Sequence, residues 1–233
     1  MKKDVIYKDL GLISYQEALK YQETLMNEII DIKMQNKKEN AEIKSTNNYL
    51  LFCQHENVYT LGKSGEEKNL LLNSKELEKS QSTFYKTNRG GDITFHGEGQ
   101  LVGYPIIDLD NFFNDIHKYM RLLEEANIKV CRDYNIDAGR IEGLTGVWID
   151  YKDKINPRKI CALGVKASRW VTMHGFALNI NTDLSYFDNI IPCGISDKAV
   201  TSMEKELGRK IDFKEVSKKL KLHIAELFNM NLI

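Results

Sequence analysis

The sequence predicts an α+β or mixed α/β fold in which helices cover a β-sheet. At least six segments of strand length are rich in β-branched and aromatic residues, and stretches with helical periodicity lie before, between and after them. The 233 residues include only three prolines, no Gly/Ser-rich linker and no internal repeat. We therefore expect residues 1–233 to form a single domain, since this length can bury one core.

Three helices are predicted from the spacing of apolar residues. The first begins at a capping box formed by Ser14 and Glu17 and runs toward the polar stretch 33–44. The second has apolar residues at positions 116, 119, 123, 126 and 130, which share one helical face. The third follows Asp212 and Glu215, which have the spacing of another capping box. The second helix connects two strand-like segments and therefore covers the sheet.

The predicted strands come from seven segments that have suitable length and composition. These segments are 48–54 (NYLLFCQ), 58–62 (VYTLG), 84–88 (FYKTN), 100–109 (QLVGYPIIDL), 145–151 (TGVWIDY), 159–168 (KICALGVKAS) and 171–180 (VTMHGFALNI). A turn at 168–170 joins the last two. At the end of the first segment, we expect Cys53 to be a buried thiol and His55 a surface imidazole, rather than a pair of metal ligands.

The composition excludes several classes of function. Thirty-three basic residues balance thirty-three acidic ones, so no net charge draws the molecule to nucleic acid or to an anionic membrane. There is no apolar run of the roughly 18 to 20 residues that a membrane helix needs, and no signal-peptide core. The cysteines form no CxxC pair and the histidines are scattered. We expect a soluble cytoplasmic protein without metal, cofactor, nucleic-acid partner or membrane partner.

A glycine-rich segment, RGGDITFHGEGQLVGYP at 89–105, is the first candidate for a functional site. Glycines at this density let a backbone approach a ligand closely and present its amide N–H groups. The alternative is a hairpin with bulges, because glycine in strands often marks only a bulge. Neither a phosphate loop nor a dinucleotide-binding motif matches this segment, so nucleotide binding is not indicated.

Three further residues could carry chemistry. Lys159 opens a predicted strand and His174 lies inside the next one, but each alone is more typical of a surface charge or a hydrogen-bonded filler. Cys193 lies between Pro192 and Gly194 in the segment IIPCGI. Proline restricts the backbone before the thiol and glycine frees it afterwards, a placement that suits a nucleophile on a turn. An unreactive cysteine in an ordinary turn is the alternative.

In this order, the segments resemble the octanoyltransferase family, also called lipoate-protein ligase B. The family patterns LGLIxYxxALxxQ, RGGxxTYHGPGQL, a Lys-led strand ending in glycine, RWVTxHGxALN and PCGI have counterparts throughout the chain. They are similar to Leu10–Gln22, Arg89–Leu101, Lys159–Gly164, Arg169–Asn179 and Pro192–Ile195. Two departures from the pattern are Phe95 in place of tyrosine and Glu98 in place of proline. The first removes a hydrogen-bond donor, and the second could alter how a partner protein docks.

The resemblance implies a mixed sheet flanked by helices, similar to biotin and lipoate protein ligases, and a catalytic dyad of Cys193 and Lys159. Carried over by position, it also implies a set of substrate-binding residues. These are Arg89, Gly90, Gly91, Asp92, Ile93, Thr94, Phe95, His96, Ala162, Leu163, Gly164, Gly175, Phe176 and Ala177.

The implied reaction moves an octanoyl group from octanoyl-acyl carrier protein, through a thioester on Cys193, to a lysine amine of a lipoyl domain. The expected acceptors are the lipoyl domains of 2-oxoacid dehydrogenase E2 subunits and the glycine cleavage H protein. Lys159 would lower the thiol pKa and then act as general acid and base. Two rival functions remain: an ATP-dependent lipoate or biotin ligase of the same fold, and a binding protein for acyl carriers or lipoyl domains without catalysis.

Overall fold

The computed structural model describes residues 3–40, 42–191 and 199–233. The helices in these ranges are α1 (Tyr15–Gln35), α2 (Ser74–Lys79), α3 (Ile116–Arg132), α4 (Met203–Leu207) and α5 (Phe213–Leu227). The strands are β1 (Lys3–Ile13), β2 (Tyr49–His55), β3 (Val58–Leu61), β4 (Thr83–Lys86), β5 (Ile93–His96), β6 (Gln100–Ile106), β7 (Ala138–Ile141), β8 (Leu144–Ile149), β9 (Arg158–Ser168), β10 (Val171–Asn179), β11 (Ala199–Val200) and β12 (Met230–Leu232).

Two sheets organise the described residues. The large sheet has the order β12-β1-β2-β6-β10-β9-β8-β7, with β11 paired to β9, and the small sheet has the order β4-β3-β5. In the large sheet β1 is parallel to both of its neighbours and β11 is parallel to β9, whereas the other pairs are antiparallel. The predicted mixed α/β fold, with a central mixed sheet and helices, is therefore confirmed.

Strand β2 of the large sheet is buried on both faces. Leu50 and Phe52 of β2 pack into the core that also contains residues of α3 and α5. Leu51 and Cys53, which alternate with them, pack on the opposite face with residues of α1. A strand covered on both faces reads as a continuous apolar run, and this accounts for the strand signal in NYLLFCQ.

All three predicted helices are present as α1, α3 and α5. The Ser14 hydroxyl accepts a hydrogen bond from the backbone N–H of Glu17 at 3.3 Å and caps α1. Asp212 accepts bonds from the backbone N–H groups of Lys214 and Glu215 and caps α5. These caps satisfy amide groups that would otherwise lack a partner at the helix N-termini.

Each predicted strand segment contains a strand, but five further strands of the described residues have no counterpart among the predicted segments. β1 is mostly exposed, with Val5 as its buried residue, so it lacks an apolar alternation. The other four, β5, β7, β11 and β12, have four residues or fewer. Short or exposed strands form because a neighbouring strand offers hydrogen bonds, which a local sequence pattern does not encode.

The prediction of a surface imidazole at position 55 is wrong, because His55 is fully buried. Its Nδ1 lies 2.8 Å from the carbonyl oxygen of Ile13, and its Nε2 lies 2.7 Å from the hydroxyl of Tyr104. Residues two apart on a strand face the same side, so His55 shares the covered face of Cys53. In the described ranges, no helix combines the length and apolarity needed to cross a bilayer.

Candidate active site

A cavity of about 270 Å³ lies where the small sheet meets strands β6, β8, β9 and β10 of the large sheet. Most of the described residues that the sequence proposed as catalytic or substrate-binding line this cavity. They are Arg89, Gly91, Asp92, Ile93, Thr94, His96, Lys159, Ala162, Leu163, Gly164, Gly175, Phe176 and Ala177. The fold thus brings three separate sequence segments to one cavity.

The glycine-rich segment does not form a hairpin. Its first strand, β5, pairs with β3 of the small sheet, whereas its second strand, β6, pairs with β2 and β10 of the large sheet. The preceding residues cross over β9, where the backbone N–H of Gly90 donates to the carbonyl of Val165 at 2.9 Å. A Cβ atom at Gly164 would come within 2.7 Å of the Gly90 carbonyl oxygen. Glycine at position 164 is therefore required for this close approach.

Arg89 anchors the glycine-rich segment to the small sheet. This side chain is buried, and its Nη2 donates to the carbonyl and hydroxyl oxygens of Thr60 at 2.6 and 2.9 Å. Its Nη1 donates to the carbonyl of Gly90 at 3.0 Å. A guanidinium presents its donors in a planar fork, so these contacts hold the loop in one orientation beside the cavity.

Lys159 reaches the cavity because β9 is irregular. Val147 pairs with Cys161 and Trp148 with Lys159, so Ile160 is an extra residue on β9. Ile160 and Cys161 both pack into the core on the side of α3 and α5, whereas Lys159 lines the cavity. A bulge re-aims the side chains on either side of it, and here it separates the lysine from the core.

The Lys159 side chain is half-buried beside Trp148. Its Nζ lies 4.6 Å from the centre of the Trp148 ring, a distance typical of a cation–π contact. Further cavity-lining apolar groups come from Leu144, Leu163 and Phe176. The cavity therefore combines one ammonium group with an apolar wall, an arrangement suited to a molecule with a polar head and a hydrocarbon tail.

A cluster of buried polar side chains forms another part of the cavity. His96 Nδ1 lies 2.7 Å from the side-chain oxygen of Gln100. The amide nitrogen of Gln100 donates to Asn179 Oδ1 at 2.8 Å, and Asn179 donates in turn to the Thr201 carbonyl at 3.0 Å. Buried polar groups persist in an apolar interior when each finds a partner, and a satisfied network rigidifies its surroundings.

The sequence reasoning missed several of these cavity-lining residues. Tyr15 stacks on His96 with ring centres 6.1 Å apart, and the Tyr104 hydroxyl on β6 lies 2.7 Å from Nε2 of His55 on the neighbouring strand β2. Gln100 and Asn179 belong to the motif segments, but only the structure shows that their side chains line the cavity and bond to each other. A period-2 count along β10 from Ala177 would have found Asn179, whereas Gln100 begins a different strand from His96 and Tyr15 comes from a distant helix.

Burial keeps the clustered imidazoles neutral. Desolvation lowers the pKa of His96 to about 3, with neighbouring His55 adding to the effect. Desolvation also lowers the pKa of His55 to about 4, and together with Arg89 it lowers the pKa of His174 to about 3. At neutral pH these rings act as hydrogen-bonding groups rather than as cations.

His174 has an unusual backbone within β10. Its φ of 58° lies in the left-handed region, which non-glycine residues rarely adopt. The fully buried Gln22 of α1 accepts a bond from the His174 backbone N–H at 2.9 Å, and His174 Nε2 lies 3.1 Å from Asn88 Oδ1. Such conformations persist only when surrounding contacts enforce them, and they are concentrated at functional sites.

Two of the proposed substrate-binding residues do not line the cavity. Gly90 contributes only the backbone contacts described above. The Phe95 ring is buried in a separate cluster, stacked on Tyr186 at 4.7 Å and tilted against Tyr59 at 5.3 Å. The position at which the family pattern has tyrosine thus faces this cluster.

The proposed nucleophile, Cys193, lies outside the described residues. Ile190 and Val200, which precede and follow residues 192–198, both line the cavity. The other three cysteines are buried free thiols, and burial raises the pKa of Cys53 and of Cys161. Within the part of the chain that is described, no group of three or more His, Cys, Asp or Glu side chains could hold a metal ion.

Comparisons with known proteins agree with this fold. A family model described as the lipoyl protein ligase A/B catalytic domain matches residues 14–225. An octanoyltransferase of Christiangramia forsetii is 58% identical over 233 residues, covering 100% of this chain and 99% of that protein. An octanoyltransferase of Flavobacterium johnsoniae is 56% identical over 234 residues, covering 100% of both.

A solved structure shares the fold at much lower sequence identity. It comes from work on a bi-partite lipoate protein ligase of Thermoplasma acidophilum and its E2 lipoyl domain. The TM-score is 0.63 at 16% identity, and the match covers 100% of this chain and 88% of that one. The family resemblance inferred from the motifs is confirmed by the relatives of high identity. The chain therefore belongs to the lipoyl protein ligase A/B catalytic domain family and, within it, to the octanoyltransferases.

Proposed function

We propose that this octanoyltransferase takes its acyl group from octanoyl-acyl carrier protein, holds it as a thioester on Cys193, and passes it to a lysine amine of a lipoyl domain. The observation that carries the proposal is the cavity that joins Lys159 to an apolar wall beside the glycine-rich segment. We propose the lipoyl domains of 2-oxoacid dehydrogenase E2 subunits and the glycine cleavage H protein as acceptors, and the cytoplasm as the location.

In the first step, the Cys193 thiolate attacks the thioester carbon of the donor. The new bond joins this carbon to the Cys193 sulfur, the bond to the pantetheine sulfur breaks, and the leaving thiolate takes up a proton from the Lys159 ammonium, which becomes the neutral amine. An isolated thiol is only about 3% ionised at pH 7. A nearby ammonium, here that of Lys159, raises this fraction roughly tenfold if it lowers the thiol pKa by one unit. One thioester replaces another, so this step needs no ATP.

In the second step, the lysine amine of the acceptor attacks the Cys193 thioester. Its nitrogen bonds to the carbonyl carbon, the bond to the Cys193 sulfur breaks, and the amine loses a proton. Lys159 in its neutral form accepts that proton. The Trp148 ring stabilises the Lys159 ammonium that the first step needs, whereas the half-burial of the side chain limits the cost of its deprotonation for the second step.

The acyl tail occupies the apolar side of the cavity. Six buried methylenes at ~0.8 kcal/mol each contribute roughly 5 kcal/mol to binding. The side chains proposed to contact the tail include Leu144, Trp148, Leu163 and Phe176. The backbone amides of the glycine-rich segment and of residues 162–164 remain alternative donors to the oxyanion, since both line the cavity.

Intact-mass measurement after mixing the protein with octanoyl-acyl carrier protein, without ATP, tests the proposal. We expect the wild type to gain one octanoyl group on Cys193 and to lose it when a lipoyl domain is added. Cys193→Ala should gain none. Lys159→Ala should still bind the donor but transfer little, whereas Lys166→Ala provides a matched control, because Lys166 lies on the same strand and does not line the cavity.

Two outcomes contradict the proposal in different ways. An octanoyl gain by Cys193→Ala equal to that of the wild type would exclude the thioester on this residue. A strict requirement for ATP and free octanoate, unaffected by alkylation of Cys193, would favour the ligase alternative. Normal transfer by Lys159→Ala would exclude the lysine as general base.

A further inference from the structure

A buried carboxylate lies directly behind the Lys159 wall of the cavity. The Glu124 side chain on α3 is only 1% exposed. Its Oε2 accepts bonds from Arg121 at 2.6 Å and from Arg140 at 3.0 Å, and its Oε1 accepts a bond from the backbone N–H of Gly146 at 3.1 Å. A fully buried charge is costly unless partners compensate it, and here two arginines and one backbone N–H do so.

Gly146, the backbone partner of Glu124, is at an irregular point of β8. Gly139 pairs with Trp148 and Ile141 with Leu144, so β8 advances four residues while β7 advances two. The φ of Gly146 is 127°, a conformation that residues with a side chain rarely adopt. A bulge disrupts the regular ladder and leaves amide groups that need another acceptor. Glu124 provides that acceptor for the Gly146 N–H.

Lys159 lies along this bulge. A Cβ atom at Gly146 would be 3.3 Å from Cε and 3.5 Å from Cδ of Lys159. The methylene chain of the lysine therefore runs close to the Gly146 backbone before its ammonium reaches Trp148. Gly143, Leu144 and Thr145, which precede the bulge, line the same cavity. A shift of Gly146 would move both the Lys159 side chain and this wall.

We infer that Glu124 is a positioning residue for acyl transfer, which holds the β8 bulge so that Lys159 points into the cavity. The inference rests on the proposed function, because it assigns a task to Glu124 through Lys159. The two arginines orient the carboxylate, and a carboxylate binds the Gly146 N–H more strongly than a neutral acceptor would. Glu124 itself does not line the cavity, so it acts through Gly146 and Lys159.

Glu125 offers a matched control on the same helix. Its Oε2 accepts a bond from Nη2 of Arg140 at 2.8 Å, so it shares one of the arginine partners of Glu124. Its hydrogen bonds include none to Gly146, and its side chain is 30% exposed. Glu124→Gln and Glu125→Gln therefore each remove one negative charge from a carboxylate that binds Arg140. Only Glu124→Gln changes the group that accepts the Gly146 N–H. The glutamine has one acceptor oxygen in place of two, and Arg121, Arg140 and Gly146 all donate toward it.

The test is the pH dependence of Cys193 alkylation by iodoacetamide, followed by mass spectrometry of the peptide that contains it. Loss of a negative charge by itself favours the thiolate and moves the midpoint to lower pH. Displacement of the Lys159 ammonium disfavours the thiolate and moves the midpoint to higher pH. We expect Glu124→Gln to raise the midpoint by about one unit and Glu125→Gln to leave it unchanged or lower it.

Single-turnover transfer from octanoyl-acyl carrier protein supplies a second measurement. A displacement of about 1 Å can reduce a rate on the order of 100-fold, so we expect a loss of this size in Glu124→Gln and none in Glu125→Gln. If the wild type acquires octanoyl and Glu124→Gln has the same alkylation midpoint and transfer rate as the wild type, the inference about Glu124 is overturned and the proposed function stands. Failure of the wild type to acquire octanoyl overturns the proposed function instead.

Gly146→Ala tests the same inference if Glu124→Gln does not fold. This variant keeps Glu124 and both arginines but places a methyl group 2.9 Å from the Cys161 carbonyl oxygen and 3.3 Å from Cε of Lys159, which displaces the bulge and the lysine together. Circular dichroism and thermal unfolding establish that the variant is folded at the temperature of the alkylation measurement. We expect the same upward shift of the midpoint. An unshifted midpoint in folded Gly146→Ala contradicts the dependence of Lys159 on the bulge.

Discussion

The ammonium of Lys159 lies 4.6 Å from the centre of the Trp148 ring, on the strand that forms one wall of the cavity. The two residues are directly paired across β8 and β9, next to the extra residue Ile160. This contact combines the charge that the proposed chemistry needs with an apolar surface that an acyl tail can use. It therefore provides the first of four predictions.

Trp148→Leu should slow octanoyl transfer by roughly 3- to 30-fold, because a cation–π contact contributes about 0.5 to 2 kcal/mol. The variant keeps an apolar wall but removes the ring that orients the ammonium. Single-turnover rates with octanoyl-acyl carrier protein measure the effect. Tyr151→Leu is the control, since Lys152 lies 5.3 Å from the Tyr151 ring outside the cavity. Equal rates for wild type and Trp148→Leu would show that the ring does not position Lys159.

Leu144→Phe should shift the acyl preference of the enzyme toward shorter chains. Leu144 is half-buried in the cavity wall, and a larger side chain leaves less room for the tail. Each methylene that no longer fits forfeits about 0.8 kcal/mol, or about fourfold in relative rate. Competition between hexanoyl and octanoyl donors measures the ratio. Leu222→Phe, at an exposed position on α5, should leave it unchanged. An unaltered ratio in Leu144→Phe would place the tail elsewhere.

Arg89→Lys should loosen the glycine-rich segment. Lysine cannot reproduce the fork that donates to Thr60 and Gly90, so buried acceptors lose their partner. We expect the free energy of unfolding to fall by about 1 to 3 kcal/mol and the KM for the donor to rise. Urea unfolding and steady-state kinetics measure these changes. Arg169→Lys, at the exposed turn between β9 and β10, is the control. Unchanged stability and KM would contradict the anchoring role.

Stability should fall as the pH drops below about 6.5, because buried histidines are neutral in the folded protein. Their pKa values are lowered to about 3 for His96 and His174 and about 4 for His55, whereas unfolded histidine has a pKa near 6.5. Between pH 6.5 and these lowered pKa values, the unfolded chain binds more protons than the folded protein does. Stability is therefore fully present above pH 6.5 and declines toward pH 3, by up to about 1.4 kcal/mol per pH unit for each histidine.

Urea unfolding of His96→Gln across this pH window measures the contribution of one ring. Glutamine can keep a hydrogen bond to Gln100 but has no proton to bind, so the dependence of stability on pH should become shallower than in the wild type. His117→Gln, at an exposed position on α3, should not change the dependence. A steepness in His96→Gln equal to that of the wild type would show that His96 is not kept neutral by burial.

Local sequence patterns predicted much of this fold because their physical causes are local. The caps at Ser14 and Asp212 depend on side chains that bond to the next few backbone N–H groups. The apolar runs of β2 and β10 signal strands that are covered on both faces. Edge strands such as β12, with three residues, form only through pairing with a distant segment, so no local pattern predicts them.

The sequence by itself determined the three main helices, the longer buried strands, the family, and the segments from which the cavity is built. Only the tertiary structure decided that His55 is buried, that β5 and β6 belong to different sheets, and that Glu124 meets the bulge behind Lys159. These features depend on strand register and on contacts between residues far apart in the chain. A one-residue shift in register reverses the direction of every following side chain, and composition does not record such a shift.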